Sequence, residues 1–385
     1  MEVLEEVVST CMASSNVAEL VTPLTYSLSP SWTGIGSDMQ IESTPRVLLV
    51  GLGAVGRAVG AAILSSSRCV VVGAVDTAPA LVGAPLSSII PGVGEQASIA
   101  ASIADAPRAD IAFVATTSFI HQVEPTIHEL LNRGMHVVSI CEELGFGFYD
   151  HDVIADRIDV KARQEGLVVL GTGCNPGILM DTLPLALSSL TLDVKSVSMR
   201  RSADMSGYGG ILSKFGFGLT EQEFVELREA KAVIGHVGFR ESIAALADGL
   251  GWRLDEIVVE EPQPVLLTKG RREARYITLE PGTIAAIRHS VYGAVAGRKV
   301  IEAEINFGIF ECGDPLAVGG TWRIESDFQA LEFSAGLLDS YLSTVAVAAN
   351  VIPSVPELSP GLRTMADLPV KRFAALSKAM PVATF

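Results

Sequence analysis

Unbroken apolar runs punctuate the first half of the chain at Val47–Val50, Cys69–Val75, Ile111–Ala115, Val137–Ile140 and Leu167–Leu170. None alternates with polar residues, as expected of strands buried on both faces of a parallel sheet. Between them lie stretches whose apolar residues recur three and four apart: Arg57–Ser65, His121–Asn132 (Val123, Ile127, Leu130, Leu131) and Asp152–Gln164. Apolar strands alternating with amphipathic helices predict a doubly wound α/β domain over about residues 45–175.

The period then changes. Val194–Arg200 alternates with period two, and Thr220 and Glu223 stand at capping-box spacing, which predicts a helix over Thr220–Ala232. His236–Leu250 predicts another helix, while Trp252–Glu260, Ile284–Val295, Lys299–Phe307 and Trp322–Ser326 read as longer antiparallel strands. Phe333–Asn350 reads as a long apolar helix that Pro353 and Pro356 terminate. Residues 1–44, rich in Ser and Thr with little periodicity, read as a flexible N-terminal extension. The expected organisation is that extension, a first domain over 45–184, an α+β second domain over 185–330, and a C-terminal helix and tail, 331–385, returning to the first domain.

Composition narrows the functions this architecture can serve. The net charge is −16 and Lys/Arg runs are absent, which argues against nucleic acid, whose phosphates need clustered cations. No apolar stretch approaches the ~18 residues that span a bilayer. The N-terminus, with Glu2, Glu5 and Glu6, matches neither a secretory signal nor a transit peptide, so a cytoplasmic location is expected. Cys11, Cys69, Cys141, Cys174 and Cys312 form no C-x-x-C pair and read as reduced thiols. His residues are scattered, and no metal site is expected.

The strongest chemical signal follows the first strand. Gly51-Leu52-Gly53-Ala54-Val55-Gly56 is a G-x-G-x-x-G turn that opens a helix, and Asp76 ends the next strand twenty residues later. In a Rossmann-type fold Gly51 permits the turn, Gly53 lets a pyrophosphate approach the backbone, and Gly56 lets helix pack on sheet. The phosphates would meet the free N–H groups of the helix start, Ala54 and Val55 among them. Asp76 suits the hydroxyls of an adenosine ribose, whereas Arg57 could reach a 2′-phosphate, so the cofactor is read as NAD(P). Thr116, Thr117 and Ser118, after the third strand, lie where the nicotinamide half should pass.

Two further segments fall at the carboxyl edge of the sheet, where ligands bind in open α/β folds. In Ser139-Ile140-Cys141-Glu142-Glu143-Leu144, adjacent acids at a strand end point to opposite sides. One can face the cleft while the other faces solvent or a helix N-terminus. A carboxylate beside a nicotinamide suits amine chemistry: it can hold ammonium, accept its proton and stabilise a cationic iminium. Phe146, Phe148 and Tyr149 would desolvate that acid and line an apolar substrate pocket, with Tyr208 from the second domain. The other segment, Gly171–Asp181, holds Asn175-Pro176-Gly177, which reads as a tight turn into a helix. The Asn175 amide could also bind nicotinamide or a substrate carbonyl. Cys141 and Cys174 lack a His placed as a base and read as small buried residues, and His236 reads as a packing or capping residue.

At these motifs the sequence resembles the family containing 2,4-diaminopentanoate dehydrogenase and the native NAD(P)-dependent amine dehydrogenases, a branch with a dihydrodipicolinate-reductase-like N-terminal domain. The resemblance is carried by G-L-G-A-V-G with Asp76, S-I-C-E-E-L (Ser139–Leu144) and G-T-G-C-N-P-G-I-L-M-D-T-L-P (Gly171–Pro184). It continues through G-L-T-E-Q-E-F (Gly218–Phe224), G-H-V-G-F-R-E-S (Gly235–Ser242), N-V-I-P (Asn350–Pro353) and P-G-L-R-T-M-A-D-L-P (Pro360–Pro369). It implies an oxidoreductase acting on CH–NH2 donors: reversible reductive amination of small ketones or aldehydes with ammonia, by hydride transfer. It also implies a glutamate that engages ammonia, Glu142 or Glu143, and a homodimer whose second domain serves substrate binding and dimerisation. Ser206–Gly210 replaces a more basic stretch of the family pattern, which favours a small apolar amine or ketone over an amino acid. The alternatives are a diamino acid dehydrogenase acting on 2,4-diaminopentanoate and a catalytically inactive NAD(P)-binding regulatory protein.

Overall fold

The computed structural model describes residues 44–368. The expectations for 1–43 and for the tail after Leu368 lie outside the described residues. The first domain holds β1 (Arg46–Val50), α1 (Ala54–Ser66), β2 (Val70–Val75), β3 (Ile99–Ala100), β4 (Ile111–Val114) and α2 (Ile120–Asn132). β5 (His136–Ser139), α3 (Asp152–Glu165) and β6 (Val168–Gly171) follow. Its strands pair in parallel, in the order β6-β5-β4-β1-β2-β3. Successive residues of β1 serve opposite faces. Leu48 and Val50 pack with Ile127, Leu130 and Ile158 of α2 and α3, while Val47 and Leu49 pack with Val59 and Ile63 of α1. Burial on both faces is the physical reason for the unbroken apolar runs.

The second domain begins with α4 (Thr182–Ser188) and β7 (Val194–Asp204), then α5 (Ile211–Lys214), α6 (Glu221–Glu229) and α7 (Phe239–Gly249). Strands β8 (Glu256–Val259), β9 (Gln263–Leu267), β10 (Arg272–Glu273), β11 (Thr278–Leu279), β12 (Ile284–Val295), β13 (Arg298–Gly308), β14 (Gly319–Ser326) and β15 (Ala330–Ala335) complete it. The main sheet runs β15-β14-β7-β13-β12-β8, with β9 also on β12. Its inner face packs Val197, Met199, Ile287, Ile305 and Trp322 against Phe215, Phe224, Phe239 and Ile243, whereas its other face carries Ser198, Arg200, Glu302 and Arg323. That two-sidedness produces the period-two pattern. Trp322 is buried at 1% exposure, and its Nε1–H donates to the Leu179 carbonyl at 2.5 Å, tying this sheet to the segment leaving β6.

The structure corrects the sequence reading in the second domain, at the final helix and at one cysteine. The second sheet is mixed, because β7 and β13 pair in parallel. A long crossover separates those two strands, and only a tight hairpin would force the antiparallel sense. The helix expected over Phe333–Asn350 starts at Ser340, as α8 (Ser340–Val351), where Asp339 accepts the Leu342 N–H at 2.8 Å. Phe333 instead pairs with Trp322 in the β14–β15 hairpin. The helix expected from His236 starts at Phe239, since Gly238 takes the left-handed region at φ 91°. Finally, Cys69, Cys141 and Cys174 are free and buried but Cys312 is disulfide-bonded, so the expectation of reduced thiols fails there. Spacing alone cannot reveal such a pairing.

After β15 the chain returns to the first domain. Val345, Ala348, Ile352 and Val355 bury in the core that holds Val47 and Val59, and β16 (Gly361–Arg363) adds in parallel to β6. Among the described residues, no helix is long and apolar enough to cross a membrane.

Candidate functional site

β5 leaves the sheet through Ser139, whose hydroxyl donates to the Val114 carbonyl at 3.2 Å and accepts the Cys141 N–H at 3.1 Å. The chain then winds into a 3₁₀ turn over Glu142–Phe146. The segment after β6 and the start of α7 nest against this turn. A Cβ on Gly171 would fall 2.4 Å from the Leu144 carbonyl oxygen. One on Gly238 would fall 2.4 Å from Pro176 and 2.9 Å from the Glu142 Cβ. Glu142 is thereby turned into a cavity of about 330 Å³ at the carboxyl edge of the first sheet. Val55, Ser118 and Asn175 of the first domain, Tyr208 and His236 of the second, and Ser340 and Thr344 of α8 also line it.

The two acids divide. Glu142 is the only carboxyl among the described lining residues. Burial raises its pKa, opposed by a hydrogen bond from the Ser118 side chain, and the Glu143 charge adds to the rise. Glu143 does not line the cavity; its Oε2 accepts the Ile120 N–H at 2.8 Å, at the N-terminus of α2. Phe146, Phe148 and Tyr149, expected as pocket walls, are not there. Phe146 packs on the second domain's core, and Phe148 and Tyr149 are exposed. The 3₁₀ turn carries the chain away from the strand edge, so only its first residue faces the cleft. Tyr208 is on the wall, edge-on to Tyr341 with ring centroids 5.9 Å apart, and burial pushes its pKa up so that it stays a neutral phenol.

The glycine turn has the shape a dinucleotide requires. A Cβ on Gly56 would lie 2.0 Å from the Gly51 carbonyl oxygen, whereas one on Gly53 would meet nothing within 4 Å. Gly56 therefore serves close packing, and Gly53 leaves open the approach to the start of α1, where no side chain caps the N–H groups. Ala54 opens that helix and Val55 reaches the cavity. Asp76 accepts the Leu52 N–H at 2.7 Å and the Ala78 N–H at 2.8 Å, and Arg57 Nε donates to the Leu52 carbonyl at 2.6 Å. The backbone of one residue, Leu52, thus holds both side chains at the glycine turn. Thr116 lies beside Gly51, and Thr117 donates to Gln122 at 2.5 Å; neither lines the cavity, which Ser118 does. Asn175 is on the wall with its Oδ1 buried and unpartnered, an acceptor suited to a carboxamide N–H. The adjoining Asn175–Pro176 bond is cis, and the helix expected at this turn starts only at Thr182.

Several residues of the site escaped the sequence reading. His236 is on the wall, its ring stacked on Phe307 at 5.6 Å, and its backbone N–H donates to His289 Nδ1 at 2.8 Å. Burial, with His289 and Arg201 nearby, pushes His236 down to about 3, so it is neutral. Arg201 is 3% exposed and bonds Ser340 Oγ at 2.9 Å, while its Nε and Nη1 have no hydrogen-bond partner. A signal existed: in the alternating Arg200-Arg201 pair of β7, one arginine had to face inward. Ser340 and Thr344 form an i, i+4 polar stripe on an apolar helix, which was equally readable.

Residues 178–382, more than half of the chain, match the family model of the 2,4-diaminopentanoate dehydrogenase C-terminal domain. The 2,4-diaminopentanoate dehydrogenase of Acetoanaerobium sticklandii is 28% identical over 338 residues, 85% of this chain and 94% of that protein. The structure of an amine dehydrogenase from Mycobacterium smegmatis superposes with a TM-score of 0.76 at 21% identity, covering 86% of this chain and 98% of that one. At that identity the likeness is one of fold.

Two outcomes are expected of this geometry. Gly53→Val should leave the melting temperature near wild type while weakening dinucleotide binding at least about tenfold in a fluorescence titration, since only the phosphate approach is blocked. Gly56→Val should lower the melting temperature itself, because its side chain collides with backbone; equal effects of the two would refute the division. His289 supplies the second. Burial lowers it from 6.5 to about 4, so the stability it contributes is whole above pH 6.5 and lost as pH falls toward 4. His289→Gln keeps an acceptor for the His236 N–H, and its urea midpoint should decline less steeply over that range; parallel declines would rule the histidine out.

Proposed function

The chain belongs to the 2,4-diaminopentanoate dehydrogenase family, and from that premise we propose that it is an NAD(P)-dependent amine dehydrogenase. It reductively aminates small ketones or aldehydes with ammonia and runs the reaction in reverse on amines. The observation that carries this reading is Glu142, the only carboxyl among the described residues of a largely apolar cavity wall. The glycine turn, Asp76 or Arg57 at the ribose, and the unpartnered Asn175 amide fit the dinucleotide. When bound, NAD(P) supplies or accepts the hydride.

Glu142 engages ammonia through its carboxylate and takes up a proton as nitrogen adds to the carbonyl carbon. It returns that proton to the hydroxyl that leaves as water, and the carboxylate so regenerated stabilises the iminium cation. Burial favours the neutral acid and the Ser118 side chain favours the carboxylate, so the two influences oppose each other at Glu142, with burial the larger. Neutral His236 and Tyr208 add no competing charge. Phe119, Ile140, Phe215 and Phe307 give the pocket an apolar lining that suits an alkyl or ring substrate. The reading includes a homodimer, implied by the family resemblance, and a cytoplasmic location, which the acidic sequence without long apolar stretches supports.

A second reading has its own observation. Arg201, buried behind Cys174 and Ser340 with two nitrogens unpartnered, and Lys214 at the wall are cations that Ser206–Gly210 gave no hint of. A substrate carboxylate reaching Arg201 would satisfy it, which favours a diamino acid such as 2,4-diaminopentanoate.

NAD(P)H oxidation with cyclohexanone or a short aldehyde plus ammonia, alongside 2,4-diaminopentanoate oxidation, tests both. Glu142→Gln should lower kcat at least about a hundredfold with dinucleotide binding retained. Absence of turnover in every assay, with normal dinucleotide binding, would sink the enzymatic reading and leave a regulatory protein. On the second reading, Arg201→Met should raise the KM for 2,4-diaminopentanoate about tenfold more than that for cyclohexanone, the scale of a hydrogen bond to a charge. An equal rise in both would remove the carboxylate from consideration.

A further inference from the structure

Glu143, turned from the cavity, makes two contacts that straddle Ser118 and Phe119. Its Oε2 accepts the Ile120 N–H at 2.8 Å, and its own N–H donates to the Ser118 carbonyl at 3.2 Å. It therefore fastens the loop leaving β4 to the turn leaving β5. The fastened residue, Ser118, lines the cavity together with Glu142, and its side chain is the one that offsets the burial of that carboxyl.

The fastening extends outward. His151 Nε2 lies 3.5 Å from Glu143 Oε2 and 3.8 Å from Glu241 Oε1. Glu241 is in the first turn of α7, three residues after the Gly238 that packs on Glu142. The charged groups facing this cluster are Glu142 and Glu143 on the turn, Asp150 and His151 ahead of α3, and Arg240 and Glu241 on α7. Arg240 is engaged by Asp150 and by the Ile257 carbonyl, so His151 is the group that lies between half-buried Glu143 and buried Glu241.

We propose that Glu143 and His151 are positioning residues for Glu142: they hold the Ser118 hydroxyl at the buried carboxyl and link that loop to the start of α7. The proposal rests on the reading of Glu142 as the group that engages ammonia. Glu143 touches neither cavity nor reacting atoms and acts through Ser118. A hydroxyl donating to a desolvated carboxylate favours its ionised form, and that bond is lost if the loop shifts by about an ångström.

The test compares Glu143→Gln with Glu143→Ala. Both remove the charge beside Glu142, but glutamine keeps an oxygen for the Ile120 N–H. Any difference between them therefore isolates positioning. In the alanine variant kcat should fall at least about tenfold below that of the glutamine variant, with similar KM for the dinucleotide. The protonation midpoint of Glu142 should also lie higher in the alanine variant. Isotope-edited infrared titration reads that midpoint without turnover, the band being identified as the one that Glu142→Gln removes. His151→Gln should likewise raise the midpoint above wild type. If Glu143→Ala does not fold, Ser118→Ala, which removes the same hydroxyl, should raise the midpoint and lower kcat. Equal kcat and equal midpoints in the two Glu143 variants, or an unmoved midpoint in Ser118→Ala, would overturn the proposal. A fully active Glu142→Gln would overturn the functional reading instead, while the infrared comparison still judges the positioning.

Discussion

The site depends on three backbone segments lying closer together than side chains allow. The turn after β5, the segment after β6 and the start of α7 meet where Gly171 faces the Leu144 carbonyl and Gly238 faces Pro176 and Glu142. Interiors tolerate no overlap of this kind, so any Cβ at either glycine would force the segments apart. Their contact leaves Glu142 one direction in which to point. It also fixes Asn175, one residue before Pro176, on the same wall. The cavity is thus the space left after backbone has packed on backbone, with α8 and the second sheet closing it.

That packing sets the electrostatics. A carboxyl placed among Val55, Ile140 and Phe119 loses water, and its charged form becomes costly. At this carboxyl the offset comes from a serine side chain rather than from a cation, and the histidine on the same wall is neutral. A fixed cation would lock Glu142 as a carboxylate and compete with an ammonium or iminium for it. A hydroxyl stabilises the charge less, and leaves the acid able both to take up and to give back a proton.

The same economy separates the two adjacent acids. Glu143 satisfies an orphan N–H of α2 and carries negative charge to a helix N-terminus, where the aligned peptide dipoles favour it. Its neighbours His151 and Glu241 form a second titratable layer, and desolvation raises Glu241 to about 7. The cavity side and the scaffold side of the turn therefore differ by one residue of sequence and by opposite demands on charge.

How much of this was legible in the sequence follows from the range of each interaction. The unbroken apolar strands and the G-x-G-x-x-G turn with Asp76 express local periodicity and backbone geometry, and they determined the doubly wound domain and its dinucleotide-binding edge. The Glu142-Glu143 pair was legible as two acids on opposite sides of a strand end, because alternation is local. Which one faces the cleft was decided by where α2 and α7 pack, and sequence distance conceals that. Phe146, Phe148 and Tyr149 were misassigned because adjacency to an acid says nothing of which way a 3₁₀ turn carries the chain. His236 and Ser340 reach one wall from elements far apart in sequence, and Arg201, from a third, bonds Ser340. Only tertiary packing could bring them together, because burial, and with it charge state, is a property of the assembled core rather than of any segment.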